Sequence, residues 1–276
     1  MNLLTSYFKR ELTAAGFHDD LCVEWSLSYC QGDGMAFYGE LSFDDLINLG
    51  RKMYANQKRK QNKFVKLVST IEGCDYHEFF EIYRNGFGYH YSHAYTMDVS
   101  ICAAEDLSFF DDANQCDWYF KKAKKAEYMA LWDDFILDLE QYIRDVSKKL
   151  ASAGYRILDA APSSDEMVYQ FDTAHYRVEL IRSPMDWDCF EEDESTMLCE
   201  EILEQNIQFA DFTARIKDKA TGIVLGDESC GFITYAQNDR TFGGMRQCLI
   251  REAIDNTRAH SSLIARQAKL MQKHLA

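Results

Sequence analysis

The fifteen residues Trp25 to Gly39, WSLSYCQGDGMAFYG, constrain the fold most. Two runs of alternating polarity flank Gln31-Gly32-Asp33-Gly34, and small, flexible residues between alternating runs are the mark of a β-hairpin. The tight turn is expected at Gly32, Asp33 and Gly34. Aspartate suits such a turn because its carboxylate accepts bonds from nearby backbone N–H groups. A carboxylate in a glycine loop also has the chemistry of a base or metal ligand, so both roles are open at Asp33.

A hairpin this early invites further antiparallel strands. Ser42, Asp44 and Asp45 supply helix-start chemistry for a helix, or pair of helices, reaching about Ile71. Lys58, Arg59, Lys60, Lys63 and Lys66 give it a basic, solvated face. Residues 79–83, 87–93 and 96–102 are rich in aromatics and strand-like, and Asn85-Gly86 between the first two signals a tight turn. With the first hairpin they predict an antiparallel sheet of about five strands.

Met129, Trp132, Ile136, Leu139, Ile143, Val146 and Leu150 then step by threes and fours, which places them on one stripe of a long helix. The stripe suits a sheet face, and its heptad-like spacing also suits a dimer seam. Ala153-Gly154 is the expected helix end, and Ala161-Pro162-Ser163-Ser164 marks a boundary.

Strands at 175–181, 209–217, 223–225 and 231–235 follow, with a terminal helix from about Phe242. Sheet first and helices after, twice over, predicts an α+β protein of two units, 1–160 and 161–276, each an antiparallel sheet packed by long helices. A chain of 276 residues that is 47% hydrophobic has enough apolar material for both cores.

Forty-five acids against thirty bases, net −15, argue against general affinity for phosphate backbones. Nine cysteines, an odd number without a CxxC pair, and no apolar leader read as reduced thiols in a cytoplasm. No apolar run is long enough to span a bilayer.

Candidate chemistry is sparse. Cys74, His77, His90 and His93 have a zinc-like spacing. His90 and His93 would point to opposite faces of a strand, however, so no metal is assigned. The Gly-Asp-Gly loop lacks the Lys-Ser/Thr ending of a phosphate-binding loop, no cysteine sits in a nucleophile signature, and no cofactor is expected.

The distinctive surface feature is the acidic run Asp186, Asp188, Glu191, Glu192, Asp193, Glu194, Glu200, Glu201 and Glu204, uninterrupted by any Lys, Arg or His. As a helix it would carry one carboxylate per roughly 3 Å, near the phosphate interval along one strand of B-DNA; extended, the interval would be roughly 7 Å. A plain acidic loop is the bland alternative. Opposing it is the terminal helix with Arg246, Arg251, Arg258, Arg266, Lys269 and Lys273. Its apolar positions are interrupted by Thr257, His260, Ser261 and Ser262, so its distal part is expected to dock on a partner or a second copy, with Arg258 and Arg266 in contact.

Trp25-Ser26, Gln31-Gly32-Asp33-Gly34, Phe37 and Gly39, the Arg84-Asn85-Gly86 hairpin with His90, Tyr91 and His93, and the helix up to Tyr155 resemble a group of phage- and plasmid-borne accessory proteins. The segment from Asp218 to Ser229, DKATGIVLGDES, is similar to a pattern common in mobile-element proteins. The resemblance implies a mobile-element context in which small acidic proteins block host defence.

The expectation is therefore a non-enzymatic inhibitor of the anti-CRISPR or anti-restriction type. It would bind a host protein or ribonucleoprotein complex with a basic surface, such as a type I surveillance assembly, and block or dismantle it. Two alternatives stand beside it: a metal-dependent hydrolase or nuclease using Asp33 and the His90/His93 hairpin, and an antitoxin-like binding protein. The sequence leaves the oligomeric state open.

Overall fold

A computed structural model describes residues 3–30, 32–73, 80–84, 97–110, 122–185 and 192–275, with backbone alone at 3, 108, 122–123, 192–196 and 263–275. The fold is α+β, with two four-stranded antiparallel sheets. The chain divides into two compact units, Met1–Tyr155 and Arg156–Ala276.

In the first unit α1 (Leu3–Ala14) precedes the hairpin of β1 (Cys22–Ser26) and β2 (Gly34–Leu41), paired from Cys22 with Tyr38 to Ser26 with Gly34. The closing turn differs from the expected Gly-Asp-Gly. Seven residues, 27–33, join the strands, and the turn proper is formed where the Cys30 carbonyl accepts the Asp33 N–H at 3.2 Å. Gly32, third in that turn, has φ +93°, a conformation that side chains with a Cβ rarely tolerate.

Helices α2 (Phe43–Met53) and α3 (Lys58–Glu72) follow, α2 starting on a reciprocal box between Ser42 and Asp45. β3 (Phe80–Arg84) and β4 (Met97–Ser100) complete the sheet in the order β1-β2-β3-β4. The expected strand at 87–93 lies outside the described residues.

Helix α4 (Lys122–Leu158) carries the anticipated stripe into the unit's own core. Trp132, Leu139, Ile143, Val146 and Leu150 are buried, whereas Met129 and Ile136 are half-buried and Tyr128, Leu131 and Phe135 fill the seam instead. A 3.6-residue turn drifts against a strict heptad, so the buried line slides around the helix. Phe64 of α3 stacks on Phe135 at 4.0 Å, and Trp132 donates its ring N–H to the Cys102 carbonyl at 2.8 Å. The basic face of α3 is partly neutralised against α4: Lys60 pairs with Asp138 at 2.9 Å, and Lys63 pairs with Glu127.

Contrary to expectation, α4 does not stop at Gly154. A Cβ there would lie 2.4 Å from Leu27 Cδ1 and 2.8 Å from Phe8 Cζ. The glycine permits close approach of the helix to these side chains, and the helix runs through it.

In the second unit β5 (Glu166–Asp172), β6 (Tyr176–Ser183), β7 (Ile207–Asp218) and β8 (Val224–Ala236) pair in sequence order, and α6 (Met245–Leu275) covers one face. Its core joins Val178, Leu180, Phe212, Ala214, Ile216 and Tyr235 to Leu249 and Ala253. The two short strands expected at 223–225 and 231–235 are one strand with a bulge opposite Asp211. There Phe232 has φ +54° and its N–H donates to Asp211 Oδ1 at 2.9 Å.

Helix α5 (Glu192–Gln205) lies between β6 and β7, as α2 and α3 lie between β2 and β3. The pair α2–α3 stands between strands where the sequence places it, and in the second unit α5 interrupts the sheet at the acidic segment, whose sequence leaves helical and loop readings both open.

Candidate functional site

Asp33 is where the sequence's most constrained stretch meets the end of the long helix. The β1–β2 register directs the carboxylate back at its own loop. Ser26 Oγ and Ser28 Oγ donate to Oδ1 at 3.1 and 3.2 Å. The Ser28 and Cys30 N–H groups donate to Oδ2 at 2.6 and 2.9 Å, and the Tyr155 hydroxyl donates to the same oxygen at 2.8 Å.

These donors set the charge state. Desolvation raises the Asp33 pKa, but the bonds from Cys30, Tyr155, Ser28 and Ser26 outweigh it and hold it down to about 2. Desolvation and then the Asp33 carboxylate push Tyr155 up to about 12. Tyr29, at φ +59° and 69% exposed, lays its ring 4.7 Å from that of Tyr155.

Five donors on one carboxylate fill its roughly four lone-pair directions. A group that is ionised down to pH 2 has little tendency to take a proton, so Asp33 makes a poor general base. Gly32, Asp33 and Gly34 accordingly form a structural loop clasp. His90 and His93, the partners of Asp33 in the hydrolase alternative, and Cys74 and His77 all lie outside the described residues.

The acidic segment is the second candidate. Asp186, Asp188 and Glu191 lie outside the described residues, while Glu192, Asp193, Glu194, Glu200, Glu201 and Glu204 fall within α5. Glu200, Glu201 and Glu204 are exposed, and Leu198, Cys199 and Ile202 are buried. At about 100° per residue the three glutamates share one arc opposite the buried side, and positions 193 and 194 fall on that arc. Six acidic residues over a 14-residue helix give about one per 3.5 Å of axis. Arg258 is exposed on α6 and pairs with Asp255 at 3.3 Å; Arg266 is on the same helix, with only its backbone described. Asp33 belongs to the first unit and α5 to the second.

Among the described residues, one group brings metal-type ligand atoms within 4.8 Å of one another: His18, Asp19 and Asp20. Both aspartates are exposed, and His18 Nε2 faces the Glu40 carbonyl at 2.8 Å.

Sequence reasoning missed Tyr155, Ser26 and Ser28 as partners of Asp33. The two serines are legible as nearby hydroxyls, but placing Tyr155 requires knowing that α4 continues past Gly154.

Together these features define an α+β protein whose best-formed polar cluster holds a loop. Residues 2–165 match the family described as Domain of unknown function (DUF8835), and the chain belongs to that family. The match ends one residue before β5 begins, so the sheet of the second unit, α5 and α6 lie beyond it. No curated protein and no solved structure matches this chain. No described helix is long and apolar enough to cross a membrane.

Proposed function

We propose that this protein is a non-enzymatic binding protein that offers the carboxylate face of α5 to a basic, nucleic-acid-handling partner. The observation that carries the reading is the exposed set Glu200, Glu201 and Glu204 on a helix whose other side is buried through Leu198, Cys199 and Ile202. A helix anchored in this way holds its charges in fixed positions, which a flexible acidic loop does not. Averaged over its six acids α5 carries one carboxylate per about 3.5 Å of axis, a linear charge density close to the one phosphate per 3.4 Å of a DNA strand, although the acids fall in two groups, 192–194 and 200–204. Lysines and arginines that normally pair with RNA or DNA would meet carboxylates at a similar mean charge density.

The resemblance to mobile-element accessory proteins makes a host-defence nucleoprotein complex of the type I CRISPR class the expected partner, and inhibition by occupancy or disassembly the expected outcome. The saturated carboxylate of Asp33 weighs against the hydrolase alternative.

The test is capture of partners from host lysate on the tagged protein, washed at low and at high salt. Recovery of a nucleoprotein complex that high salt elutes supports the reading. Recovery that salt leaves unchanged, or phosphodiester hydrolysis that disappears in Asp33→Asn, contradicts it.

A further inference from the structure

Helix α6, like α3, is cationic in this acidic chain: from Met245 to Leu275 it carries six Lys or Arg and two Asp or Glu. It lies chiefly over β8 and β7 and reaches β6, and it meets the edge strand β5 through side chains, with Arg246 over the ring of Tyr169. Between α6 and β5 lies an open groove of about 410 Å³. Tyr169, Phe171, Ile250 and Ile254 line it with apolar surface, and Arg246, Arg251 and Arg258 bring charge to it.

The arginines are differently prepared. Arg246 rests its guanidinium over the Tyr169 ring, 4.9 Å from the centroid, and donates to the Arg240 carbonyl at 3.0 Å. It is thereby held in place with part of its donor fork unused. Arg258 pairs with Asp255, and Arg251 has no acidic partner among the described residues. Three guanidinium groups against one carboxylate, Asp255, beside partly exposed aromatic surface are chemically suited to an anion with a planar ring, since arginine binds phosphate in a bidentate fashion and a tyrosine ring stacks on a base.

We propose that the α6–β5 groove binds a short single strand of nucleic acid, with Arg246, Arg251 and Arg258 on its phosphates and Tyr169 against a base. At about 100° per residue Arg251 and Arg258 lie within about 20° of one another around α6, while Arg246 stands about 140° round from Arg251, so Arg251 and Arg258 form one margin of the groove and Arg246 the other. The rise of about 10.5 Å from Arg251 to Arg258 is close to three phosphate intervals of a stacked strand, about 10.2 Å. The acidity of the rest of the chain selects a short strand over a duplex, because a longer or wider polyanion would extend past the cationic strip onto repulsive surface. An acidic peptide matches the charge but makes no use of the aromatic floor. The site is independent of the α5 reading and survives its failure.

The test is fluorescence anisotropy of the full chain with labelled single-stranded RNA and DNA of about six nucleotides, a hairpin duplex with a stem of about the same length, and a glutamate-rich peptide of charge equal to the strand's. The strand is expected to bind with a log–log salt slope of about −2, the value for three phosphates on a single strand. Arg251→Glu and Arg258→Glu should each weaken it by about tenfold, and Lys148→Glu, an equal charge change at an exposed position of α4, should not. RNA bound more tightly than DNA would point to contacts with the 2′-hydroxyl, and equal binding to phosphate and base alone; either supports the groove. No strand binding, preference for the peptide or duplex, or equal losses in Lys148→Glu and Arg251→Glu would overturn it.

Discussion

The Tyr155 hydroxyl, near the end of α4, donates to Asp33 Oδ2 across 122 residues of chain, at 2.8 Å. This bond fastens the loop of the first hairpin to the long helix and closes the first unit's sequence end on end. Of the other four donors to Asp33 one comes from Ser26 at the end of β1 and three from the loop, so Tyr155 supplies the only long-range contact in that carboxylate's shell among the described residues.

Removing this link should therefore destabilise the first unit with little change in its fold. Tyr155→Phe is expected to cost about 1 kcal/mol and Asp33→Asn about 1–3 kcal/mol, because the latter leaves several donors facing a weaker acceptor. Urea denaturation monitored by tryptophan fluorescence reads both as a lower midpoint at unchanged slope. Equal stability of wild type and Asp33→Asn would show that the shell has no energetic weight.

The same carboxylate gives a pH signature. Its folded pKa of about 2 lies below the ordinary 3.8, so its contribution is complete above about pH 4 and is lost as pH falls toward 2. Asp172, Asp218 and Asp239 are also shifted downward, by Arg177, by Thr221 and by Thr241 respectively, and act in the same direction. The discriminating quantity is therefore the stability difference between wild type and Asp33→Asn. It should be constant above pH 4 and shrink below it; a difference that grows with acidity would reverse the sign of the argument.

Gly154→Ala sets two effects against each other. Alanine favours helix by about 1 kcal/mol over glycine. The added methyl would meet Leu27 Cδ1 at 2.4 Å and the Phe8 ring at 2.8 Å, both buried side chains, and overpacking of this kind costs about 1–3 kcal/mol. Net destabilisation is expected, with a lower thermal midpoint. A more stable Gly154→Ala would mean that Leu27 and Phe8 yield freely.

Much of the architecture was legible in local pattern, and Gly154 shows where legibility ends. The hairpin at 25–39, the Ser42–Asp45 start of α2 and the apolar stripe of α4 are short-range signals, and each corresponds to an element. Gly154 read as a helix end because a glycine's backbone freedom is visible in sequence while a neighbour 2.4 Å away is not. Edge strand β5, EMVYQFD, was overlooked because a register shift between Met167 and Tyr169 breaks its alternation, leaving both of those apolar side chains exposed. The acidic run was legible as composition, but only packing of Leu198, Cys199 and Ile202 decides which of its carboxylates share a face. The groove beside β5 had no sequence signal at all, since it arises from where α6 rests on the sheet.

The central claim is that α5 acts through the charge of its exposed face. Its most direct test is the affinity of the purified protein for the nucleoprotein complex recovered by capture, measured across a salt series for wild type and for Glu200→Gln/Glu201→Gln/Glu204→Gln. The account predicts binding weakened by about tenfold or more in the triple variant, with a flatter salt dependence. An unchanged affinity with an unchanged salt slope would contradict it.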